Sequence, residues 1–102
     1  MLKITILDDQ TEQRLVLEGR LTEPDISVLE SAWDNALAAR GTRRCIVDLR
    51  NATSLDASGE RILLGMKREG AQFLACGVSI KHRLEELGIP CNRNGSKAPK
   101  VK

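Results

Sequence analysis

Cys45-Ile46-Val47-Asp48-Leu49 is the stretch that most limits the folds open to this chain. A run this continuously apolar does not alternate between a wet and a dry face, so it belongs to a strand central in a sheet, with layers packed against it. A polar turn follows, and then a helix after Asp56. That helix places Ile62, Leu63 and Met66 on one face and leaves Glu60, Arg61, Lys67 and Arg68 outward or flanking. The first N–H groups of such a helix have no partner within it, so the mouth at Asp56 to Gly59 suits an exposed contact or a phosphate.

The rest of the chain supplies the elements that a central strand needs. Leu2 to Leu7 and Arg14 to Gly19 are β-rich and flank the polar segment Asp8 to Gln13, which predicts a hairpin with a loop. Thr22-Glu23-Pro24-Asp25 combines a capping hydroxyl, an early proline and an acid, all helix-start signals. Ile26, Leu29, Trp33, Ala36 and Leu37 then form one apolar stripe, with Gly41 as the residue past its end. Within the second helix Gly65 costs about 1 kcal/mol relative to alanine, and such a glycine often marks close packing. Phe73-Leu74-Ala75-Cys76 predicts another strand. Ser79 can cap a third helix carrying Ile80, Leu84 and Leu87, and Gly88 and Pro90 stop it. The expected architecture is α/β in the order β-β-α-β-α-β-α, with a mixed sheet of about four strands and right-handed crossovers.

Composition limits the classes of function. With 102 residues the chain makes one small domain, and 41% hydrophobic against 29% charged residues is ordinary for a soluble globular protein. Residues 90–102 carry Arg93, Lys97, Lys100 and Lys102 without an acid, so they read as a basic flexible tail after a domain spanning 1–89. The net charge is +2, which leaves the domain itself mildly acidic, and one Trp and one Phe offer little for base stacking. Nucleic acid is therefore not the expected partner. No leader and no apolar run of 18 residues is visible, which predicts a cytoplasmic protein without direct membrane insertion. Cys45, Cys76 and Cys91 lack metal-ligand spacing, and Cys45 and Cys76 read as small buried hydrophobes in a reducing compartment. His82 sits beside Lys81 and Arg83 at a solvated helix start, with no catalytic constellation readable from spacing. No metal, cofactor or enzymatic activity is expected.

The apolar strand ending Val47-Asp48-Leu49, the turn Leu55-Asp56-Ala57-Ser58-Gly59 with its helix, and the strand Phe73-Leu74-Ala75-Cys76-Gly77 before another helix resemble the STAS domains. These occur in sulfate transporters and in bacterial anti-sigma factor antagonists, and the resemblance spans roughly residues 2 to 89. It implies a cytoplasmic, protein-binding regulatory module in bacterial signalling and transcription regulation, engaging a kinase-like anti-sigma factor or related ATPase. Its contact surface would comprise Thr53, Ser54, Asp56, Ala57, Ser58, Gly59, Glu60 and Arg61. An alternative implied role is an accessory subunit clamping the ATPase of an ABC-type lipid transport complex.

Two departures from the family matter. Phosphorylated members carry a serine directly after the aspartate of the turn, and here that position is Ala57, which has no hydroxyl to receive a phosphate. Ser58, Thr53 and Ser54 are the neighbouring hydroxyls, with Ser58 the candidate for a displaced phosphorylation site. From the residues alone, Ser58 reads first as a capping or turn hydroxyl, Asp56 as an N-cap carboxylate, and Thr53 and Ser54 as loop hydroxyls. The family also commonly adds a strand and helix where this chain has its polar tail. One sheet edge would then lie uncovered and invite pairing with a second copy, a homodimer.

Overall fold

The hairpin at the start of the chain is shorter in its loop and longer in its strands than polarity alone indicates. A computed structural model describes residues 2–74 and 78–92. β1 (Leu2–Asp8) runs antiparallel to β2 (Glu12–Leu21), with Asp8 opposite Gln13. One Asp9 Oδ1 accepts from the Thr11 N–H at 2.8 Å, the Thr11 hydroxyl at 2.9 Å and the Glu12 N–H at 2.9 Å. That Asx turn closes the loop within three residues and releases Glu12 and Gln13 into the ladder. Those N–H donors also hold the Asp9 carboxyl below the usual range.

Three parallel neighbours follow, each reached through a helix. α1 (Ile26–Arg40) leads to β3 (Arg44–Leu55), α2 (Ala57–Arg68) to β4 (Gln72–Leu74), and α3 (Val78–Glu86) to the two-residue β5 (Cys91–Asn92). The strand order is β1-β2-β3-β4-β5. Successive right-handed crossovers that advance in one direction place every connecting helix on the same face of the sheet. The buried stripes agree: Ile26, Leu29 and Trp33 of α1, Ile62, Leu63 and Met66 of α2, and Ile80 and Leu84 of α3 share one cluster with Leu15, Leu17, Val47 and Leu49 of the sheet. The predicted α/β order is thus observed, with β5 as a short addition inside the stretch read as tail. The remainder of that stretch, 93–102, and the Ala75-Cys76 end of the predicted fourth strand lie outside the described residues.

β3 is central, as its apolar run requires, but the helix layer covers one face of it. On the reverse face Ile46 and Asp48 are buried too. Asp48 Oδ2 accepts from Arg50 Nη2 at 2.7 Å, and Oδ1 accepts from the Arg50 backbone N–H at 3.0 Å. Burial opposes the charge on Asp48, yet these Arg50 contacts outweigh it and hold the carboxyl below the ordinary range.

Local signals differ from expectation at two of the three helix starts. α1 begins at Ile26 after Asp25, whose side chain makes no cap hydrogen bond and instead accepts from the Leu2 N–H at 3.1 Å. The Thr22 hydroxyl is therefore not the cap; its carbonyl accepts from the Asp25 N–H at 3.0 Å in a preceding turn. α3 begins at Val78, so Ser79 lies within the helix rather than before it. α2 has the cap expected of Asp56. At its other end the Ala71 N–H reaches the Met66 carbonyl and the Gly70 N–H the Lys67 carbonyl, a Schellman closure that requires the positive φ of 99° at Gly70.

Candidate functional site

The turn before α2 is built from both sides. Asp56 adopts an extended backbone, and its Oδ1 accepts from the Gly59 N–H at 2.8 Å. Its Oδ2 accepts from the Glu23 N–H at 3.0 Å, which ties the approach to α1 onto the mouth of α2. The Glu23 and Gly59 N–H groups hold the Asp56 carboxyl below the usual carboxylate range. The electropositive end of the helix is thereby already matched to a carboxylate, which disfavours a phosphate at the same place.

Gly59 is the second constraint. A Cβ there would meet the Leu21 carbonyl oxygen at 2.2 Å and Leu55 Cδ1 at 2.9 Å. The first turn of α2 therefore lies directly against the end of β2, an approach that only glycine permits. The sequence-predicted contact residues are distributed around this fixed turn. Ala57, Arg61 and Thr53 are exposed, and Ser54, Asp56, Ser58 and Glu60 are partly so. Thr53 and Ser54 belong to the end of β3 rather than to a loop, Ser54 standing opposite Arg20 after two shifts of register between β2 and β3. The Glu60 carboxylate is engaged by Arg83 of α3. The Ser58 hydroxyl makes no hydrogen bond among the described residues, because Asp56 performs the capping expected of a hydroxyl there. Ser58 lines a groove instead.

That groove, of about 380 Å³, separates α1 from α2. Its walls are Ile26, Glu30, Trp33 and Asp34 on one side and Ser58, Arg61, Ile62, Gly65 and Met66 on the other, with Glu23 and Glu69 at its ends. Both ends are tied. At one, Asp56 holds the Glu23 N–H; at the other, the Trp33 indole N–H donates to Glu69 Oε1 at 2.7 Å and Arg40 Nη1 donates to the Glu69 carbonyl at 3.0 Å. Between the ties, a Cβ at Gly65 would meet nothing within 4 Å. Gly65 is thus not the close-packing glycine its helical position suggests; it widens the groove.

Trp33 is buried as a core anchor should be, but its indole also forms part of this wall. The groove escaped sequence reading because its two stripes come from helices about 30 residues apart, and only their shared apolar periodicity hints that they meet.

Elsewhere the chemistry is spare. Burial pushes the Cys45 thiol up, against a weaker pull from Arg40, so it is a poor nucleophile. Cys76 lies outside the described residues. His82 is exposed, with Nε2 at 3.3 Å from Glu86 Oε2 one helical turn on. Among the described residues no group of three or more His, Cys, Asp or Glu side chains is placed to hold a metal, and no helix is long and apolar enough to cross a membrane. No protein-family model matches the chain, and no curated protein matches it.

Proposed function

We propose that this chain is a non-enzymatic, protein-binding regulatory module of the STAS type, resembling an anti-sigma factor antagonist. It engages a kinase-like anti-sigma factor or related signalling ATPase through the turn and second helix after β3. One observation carries the reading. Asp56 caps the helix while Gly59 seats it against the Leu21 carbonyl, so a short exposed segment around Ala57 and Arg61 is displayed in a single conformation. Preorganised display of this kind lowers the ordering cost of binding a partner. The β-β-α-β-α-β-α order agrees with what the resemblance implies. Ala57 makes the contact independent of phosphorylation at that position, since it has no hydroxyl.

The test is capture of partners by the tagged chain in its own host, followed by mass spectrometry. Ala57→Asp and Arg61→Glu are each expected to lose a partner bearing a kinase-like ATPase domain while circular dichroism stays unchanged. Undiminished capture by both variants would sink the reading. Recovery of a transporter ATPase would replace it with the accessory-subunit role. Intact-mass measurement on the protein isolated from its own host, followed by site mapping over Asn51 to Arg61, decides the switch, since a phosphate on Ser58 would show that it has moved by one residue.

A further inference from the structure

The α1–α2 groove is held open by a residue that weakens its own helix. Glycine in a helix interior is less favourable than alanine, and Gly65 gains no close approach in return, because nothing stands within 4 Å of where its Cβ would be. The opposite rim is acidic and exposed. Glu30 and Asp34 stand four residues apart on α1, the spacing at which like charges repel. No ion pair among the described residues reaches Glu30, Asp34, Glu23 or Arg61. Beneath these charges the groove is lined by Trp33, Ile62 and Met66, which are themselves nearly closed to solvent, so its open space lies at Gly65 and between the rims.

The charge selects the occupant. Four carboxylates against one guanidinium repel a nucleic acid or an anionic lipid surface. A two-fold contact with a second copy would set the same acidic rim against itself. An inorganic cation would find no group of three ligating side chains here among the described residues. From Ser58 to Glu69 the α2 wall is about 16 Å long, or three turns of a helix. We propose that the groove docks a basic amphipathic helical segment of a partner protein. Its apolar stripe lies over the gap at Gly65, and its lysine or arginine side chains pair with Glu30 and Asp34. This deepens the preceding functional reading by giving the partner's chemistry, for a surface that adjoins the Asp56–Gly59 turn.

Trp33 is the single tryptophan of the chain and stands in the groove wall, so its fluorescence reports occupancy directly. The probe is a synthetic 14-residue leucine–lysine peptide designed as an amphipathic helix, titrated into the 102-residue chain against a scrambled peptide of equal composition. Tenfold tighter binding of the amphipathic peptide is expected, with amide shifts at Gly65 and the Trp33 indole in ¹⁵N spectra. Glu30→Gln combined with Asp34→Asn should weaken binding at least fivefold, and Gly65→Leu, which fills the gap, at least tenfold. Equal binding of both peptides, or full affinity in both variants, overturns the proposal. So does movement of the groove signals, without peptide, when the tail cations Arg93, Lys97, Lys100 and Lys102 are all changed to Gln, since the chain's own tail would then be the occupant. Failure of the turn reading looks different: Ala57→Asp would capture its host partner normally while the groove still took the peptide.

Discussion

A Cβ on Gly59 would lie 2.2 Å from the Leu21 carbonyl oxygen. The same carbonyl accepts from the Asp56 N–H at 3.3 Å, so the end of β2 seats the whole turn that precedes α2. Because the obstacle is backbone, no rotamer change relieves it. Gly59→Ala should therefore cost about 3 kcal/mol, the upper part of the usual overpacking range, read as a lower urea midpoint at unchanged slope. An unchanged midpoint would mean that α2 starts free of β2.

Asp56 carries a pH dependence whose sign follows from its partners. Its folded carboxyl is held below the ordinary range, first by the Glu23 N–H and then by that of Gly59. The stability it contributes is thus fully present above the unfolded value of about 3.9 and is lost as pH falls through the folded value. Asp56→Asn keeps an acceptor but not the charge. Wild type should exceed this variant in melting temperature by a constant margin from pH 5 to pH 8, with the margin closing below about pH 4. Asp9 and Asp48 are likewise depressed and titrate in both proteins, so the comparison isolates Asp56. A margin that persisted at pH 2 would assign the difference to shape rather than charge.

The elements legible in the sequence are those in which one periodicity dominates. The stripe Ile26, Leu29, Trp33, Ala36 is buried as read, and so are Ile62, Leu63 and Met66. Polar residues inside strands were not legible. Glu12 and Gln13 look like loop until Asp9 satisfies the turn, and Thr53 and Ser54 look like loop until Ser54 pairs with Arg20 across a register shift that skips Thr53. β5 has two residues, too few for any pattern, and exists through its pairing with β4. At the site, the Asp56 cap follows from local chemistry alone. What Gly59 and Gly65 do does not, since each glycine is defined by what stands opposite it: a carbonyl for one and open space for the other.

Gly65 supplies a test in the stabilising direction. Its replacement by alanine adds a methyl group into open space and restricts the unfolded chain, so Gly65→Ala should stabilise by about 0.5–1 kcal/mol, or roughly 4 °C in melting temperature. Calorimetry would check it. A loss of stability would show that α1 packs against this position after all, and would remove the reason for regarding the groove as held open.

Gln13 is the one polar side chain among the described residues with a buried atom left without a partner. It is 2% exposed; Nε2 donates to the Ala36 carbonyl at 2.9 Å, while Oε1 accepts from nothing. The Ala36 carbonyl does not depend on this contact, because the N–H of Arg40, four residues on in α1, is its helical donor. Replacing the amide by a thioether of similar length removes an unsatisfied acceptor and leaves no orphan behind. Gln13→Met should therefore stabilise by about 1 kcal/mol in urea unfolding, whereas Gln13→Glu, which buries a charge in the same place, should lower the midpoint sharply. If Gln13→Met instead lost stability, Oε1 would have to possess a partner in solution, and the amide would be holding β2 to α1 through both of its ends.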